Sequence, residues 1–72
     1  MDKIRNENVR QAMEEYAHGI RCKNNGDLKE ARNHFIKALR YLEAAYREVS
    51  GIERILVIKM FEKISAVLRE IE

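Results

Sequence analysis

The chain has 72 residues, the length of one small domain, and carries a formal net charge of only +2 although 36% of its residues are charged. Its single cysteine excludes an internal disulfide, and no apolar run approaches the roughly 18 residues of a membrane span. Both signs of charge are interleaved, which describes a solvated surface and not a platform for nucleic acid.

A domain this short buries little apolar surface, so without disulfides its stability rests on well-matched helix packing. The chain has no proline and three glycines and is rich in Ala, Leu, Ile, Glu, Lys and Arg, a composition that favours helix over strand. The first ten residues are too polar for a signal peptide, and a lone thiol suits a reducing compartment. The expected location is cytoplasmic.

The first predicted helix runs over about 3–24, with an apolar stripe of Val9, Ala12, Met13, Tyr16, Ala17, Gly19 and Ile20. It ends at Asn24-Asn25-Gly26-Asp27. Gly26 supplies the left-handed backbone that closes a helix, and Asp27 with Glu30 three residues on reads as a capping box opening the next. The second helix is predicted over 28–48. Leu28, Ala31, Phe35, Ala38, Leu42, Ala45 and Val49 alternate steps of three and four along it, the spacing of bundle packing. Ser50-Gly51, with Glu53 three beyond the serine, reads as a second capping box.

The third helix is predicted over 51–71, with Val57, Phe61, Ile64, Leu68 and Ile71 on one face, widened by Leu56, Met60 and Val67. Such short connections force antiparallel neighbours, and the facing stripes are expected to close one core. The expected fold class is therefore all-α, a single antiparallel three-helix bundle running up, down and up over residues 1–72. Ala12 with Gly19, and Ala31 with Ala38, place small residues seven apart on the first two helices, where the two backbones can approach closely.

Some apolar residues are left over once the core is filled. Ile36 falls among Arg32, Arg40, Glu43 and Arg47, Ile55 and Ile58 fall on the polar side of the third helix, and Ile52 sits at its edge. Isolated surface isoleucines are ordinary. The alternative is that they border a groove for an amphipathic partner helix, or a surface for self-association.

Catalytic chemistry is hard to find. His18 and Cys22 share a helix face and His34 could approach them, but a metal needs three or four convergent ligands and nothing else converges there. A histidine beside a small apolar thiol is the plainer reading. No phosphate loop, activated nucleophile or carboxylate pair stands out, so the chain is read as a non-enzyme with no metal and no cofactor. Arg32, Lys37, Arg40 and Arg47 raise nucleic-acid binding as a lower-ranked possibility, set against the acids Glu30, Glu43 and Glu48 interleaved with them.

Gly19, the run Gly26-Asp27-Leu28-Lys29-Glu30-Ala31, and then Phe35, Ala38, Tyr41, Leu42 and Ala45 together resemble the MIT (microtubule interacting and trafficking) domain, a three-helix module. Ala12 and Gly19 fall at its small positions, Leu28 at an aromatic position and Phe35 at a tyrosine position, in register over about residues 9–70. The tetratricopeptide repeat is similar in its glycine turn and alanines spaced by seven, but a third helix with no following turn fits the MIT pattern better. Three features depart from the family, one being a second connection shorter than usual. Lys23 replaces an acid, and Lys63-Ile64-Ser65 replaces its Arg-Ala-Glu triplet.

The resemblance implies an adaptor in protein transport, binding the helical tail of an ESCRT-III-like protein between the second and third helices. The residues it points to are Ile36, Leu39, Glu43 and Tyr46, with Val57, Met60, Phe61 and Ile64. The alternative partner is a second copy, in a homodimer formed through the third helix.

Overall fold

A computed structural model describes residues 6–72. It is an all-α three-helix bundle of α1 (Glu7–Asn24), α2 (Leu28–Glu48) and α3 (Ile52–Ile71). The expected extension of the first helix back to residue 3 lies mostly outside the described residues. Asn6 is the extended N-cap of α1, and its side chain accepts a hydrogen bond from the Val9 amide. Neighbouring helices run antiparallel, because the start of α1 meets the end of α2 through Asn6, Asn8 and Glu48. Likewise the start of α2 meets the end of α3 through Arg32 and Glu72.

The first turn follows from its residues. Gly26 has φ +84°, and its amide and that of Asp27 donate back to the carbonyls of Lys23 and Cys22, the pattern that satisfies the last free carbonyls of a helix. Asp27 then caps α2 by accepting from the Glu30 amide at 3.3 Å. Only this half of the expected box forms, since the Asp27 amide is already committed to Cys22. The second expected box is corrected outright. The cap of α3 is Gly51, with φ +62°, and no side chain caps the helix. A turn this tight needs positive φ immediately before the helix, which glycine alone adopts without strain. The cap therefore lies one residue beyond Ser50, and the Gly51 carbonyl receives the Arg54 and Ile55 amides.

The core is built on α2. Ala31, Phe35, Ala38, Leu42, Ala45 and Val49 are buried, joined by Val9 and Ala12 of α1 and by Val57 and Ile64 of α3. The small residues do what their spacing suggests, since α1 and α2 close over Gly19 with the Phe35 ring against its backbone. The α3 helix packs on α2 and barely meets α1. The stripes of all three helices close one core, as expected, with one edge left open between α1 and α3. Met13 and Leu56 stay exposed along the α1/α3 trough, because small residues hold α1 against α2 and leave α3 without a facing stripe. Leu28 also stays exposed, at the open first turn of α2.

Glu48 joins the two ends. It accepts hydrogen bonds from Asn6 and Asn8, which in that order hold its carboxyl below the ordinary value. A lowered carboxylate pKa stabilises the fold above the unfolded group's pKa, and that support is lost as pH falls through the lowered value. Asn6→Ala removes both the cap and one of these donors. Thermal unfolding is expected to show a loss of about 1 kcal/mol from the missing cap, with any added loss from the Glu48 contact present near neutral pH and absent once Glu48 is protonated. An unchanged midpoint would mean that Asn6 does not cap α1.

Candidate protein-binding groove

An open cleft of about 470 Å³ lies between the α2 and α3 helices near their shared turn. Its floor is Leu42 and Val57, both buried, and its walls are Tyr46 and Phe61. Ile58 forms the outer lip, and Glu43, Arg47 and Glu62 carry charge at the rim. Each position follows from helical spacing. Leu42, Glu43, Tyr46 and Arg47 repeat at three and four along α2, as do Val57, Ile58, Phe61 and Glu62 along α3. Near the turn, the Arg54 guanidinium lies 4.5 Å from the centre of the Tyr46 ring and donates to the Tyr46 carbonyl at 3.4 Å. The ring is thus held under a cation, which restricts its rotamers.

The residues singled out from the sequence separate into four places. Glu43, Tyr46, Val57 and Phe61 come together in the cleft. Leu39 and Ile64 lie beneath, with Ile64 fully buried and Leu39 half-buried against the core. Met60 turns to the other side of α3, where with Met13, Leu56 and Val9 it lines the narrower α1/α3 trough of about 210 Å³. Ile36 is also elsewhere, in a shallow depression on the outer side of α2 with Asn33, Lys37 and Arg40. The structure adds Arg47, Ile58 and Glu62 to the cleft. Ile58 carried a signal, as an apolar residue on an otherwise polar face. Arg47 and Glu62 carried none, because a rim charge and a solvated helix charge look alike in sequence.

The histidines are engaged with their own neighbours. His34 Nδ1 donates to Glu15 Oε1 at 2.7 Å across α1 and α2, the rings of His18 and His34 stack at 5.4 Å, and Arg21 donates to His18. Cys22 packs half-buried against the core. Among the described residues no three His, Cys, Asp or Glu side chains converge as a metal would require. No helix there is long and apolar enough to cross a membrane. The chain matches no protein-family model, no curated protein and no solved structure.

Proposed function

We propose that the chain is a protein-binding module that takes an amphipathic helix of a partner into the α2/α3 cleft, in the manner that its resemblance to MIT domains implies. The observation that carries this reading is the cleft itself. It has an apolar floor, two aromatic walls and charge confined to the rim, the arrangement in which buried anchors supply affinity and rim charges set register. A helix laid there would place residues spaced at three and four against Tyr46, Ile58 and Phe61. The partner class implied by the resemblance is the C-terminal helical tail of an ESCRT-III-like protein, and the cellular role is that of an adaptor in protein transport.

The test is a fluorescence anisotropy titration of labelled C-terminal tail peptides from ESCRT-III-like proteins. Tyr46→Ala, which removes an exposed wall of the cleft, is expected to weaken binding at least tenfold, about 1.4 kcal/mol. Ile36→Asp lies outside the cleft and should bind as the wild type does. Equal affinity in Tyr46→Ala, or a loss confined to Ile36→Asp, would move the site away from the α2/α3 cleft.

A further inference from the structure

The first half of α3 carries more apolar surface than the core uses. Ile52 is 76% exposed, Ile55 54% and Ile58 42%. Ile55 and Ile58 stand three apart with Glu62 a further turn along, so they make a ridge on the outer lip of the cleft. Arg54 lies one turn before Ile58 and Glu62 one turn after it, about 12 Å apart along the axis. Apolar residues in the middle with opposite charges at equal distances on either side make a self-complementary surface.

We infer that this lip is the two-fold contact of a homodimer, in which α3 of one copy crosses α3 of the other antiparallel at Ile58. In that register Ile58 meets its own counterpart. The Arg54 of each copy, whose guanidinium rests over its own exposed Tyr46 ring, lies level with the Glu62 of the other, and the two-fold axis makes this ion pair twice. A parallel pairing sets Arg54 against Arg54 and Glu62 against Glu62, so charge selects the antiparallel form. Shape agrees with charge. The isoleucine ridge stands beside a hollow walled by Tyr46 and Phe61, and a ridge beside a hollow fits a second copy of itself.

Partly exposed Ile55 and Ile58 make only a small apolar ridge on each copy. That is well short of the roughly 800 Å² per partner of stable complexes, so the dimer is weak, with a dissociation constant on the order of micromolar or above. Because Ile58 and Glu62 also line the cleft, pairing covers the surface offered to a helical tail. The two occupants exclude one another.

The test uses the 72-residue chain alone. Sedimentation velocity from about 1 μM to about 1 mM is expected to show reversible monomer–dimer exchange. Arg54→Glu and Glu62→Arg each set like charges against one another twice, and each should weaken self-association at least tenfold. An equimolar mixture of the two variants should recover it to within about threefold of wild type, since both pairs then join opposite charges across chains. Both positions are exposed, and circular dichroism of each variant checks that the helices persist. The proposal is overturned by a wild-type chain that stays monomeric throughout, by single variants that associate as the wild type does, or by a mixture that fails to recover. A monomeric chain that still binds tail peptides sinks the dimer alone. A dimer that binds none of them sinks the tail reading alone.

Discussion

Phe35→Ala is expected to remove about 3–5 kcal/mol, a large share of the chain's stability, in urea titrations followed by helical circular dichroism. Phe35 is completely buried in the first half of α2, against the Gly19 backbone of α1 and 5.8 Å from the Tyr16 ring centre. Removing a buried phenylalanine ring costs about 3–5 kcal/mol, from lost transfer energy and the cavity left behind. A chain of 72 residues has a total stability of only about 4–11 kcal/mol. The cavity is also poorly placed to collapse. Part of its wall is the backbone at Gly19, which has no side chain with which to fill it. A loss below about 1.5 kcal/mol would mean that α1 and α2 re-close over the gap, and that Phe35 is not the wedge between them.

The second large effect comes from adding one carbon. Gly19→Ala places a Cβ 2.5 Å from Cε1 and 2.7 Å from Cδ1 of Phe35, well inside contact distance of a fully buried ring. Two terms oppose each other. Alanine favours a helix over glycine by about 1 kcal/mol, while overpacking a tight contact costs about 1–3 kcal/mol. The ring cannot swing into solvent, so the upper part of that range applies and a net loss of about 2 kcal/mol is expected. Chemical denaturation of Gly19→Ala, Phe35→Leu and the double variant forms a cycle, and the double variant should be more stable than the two losses summed. Additive losses would place the strain of Gly19→Ala somewhere other than the Phe35 ring.

Much of this packing was legible from residue order. The three-and-four alternation from Ala31 to Val49 marks the buried face of α2, and six positions of that stripe are buried. Gly26-Asp27 marks both the end of α1 and the start of α2. The paired small residues point to the close α1–α2 contact. Ser50 misled for a local reason, because a capping side chain and a positive φ compete for the same short turn, and Gly51 takes the cap.

The candidate site was less legible, and the cause is geometric. Helical spacing states the angle of each side chain about its own axis. It does not state where the neighbouring axis lies. Met60 and Phe61 are adjacent in sequence and both belong to the apolar stripe of α3, yet they face the α1/α3 trough and the α2/α3 cleft respectively. Ile36 and Ile58 both read as surplus isoleucines, and only Ile58 borders the cleft. Sequence alone determined three helices, the glycine at each break and the stripe that would form the core, because these depend on backbone preference and on a period of 3.6 residues. Only the tertiary structure decided that α3 lies against α2 and away from α1, since that rests on how far small residues let α1 and α2 close. That placement turned Ile58, Tyr46 and Phe61 into the walls of one cleft.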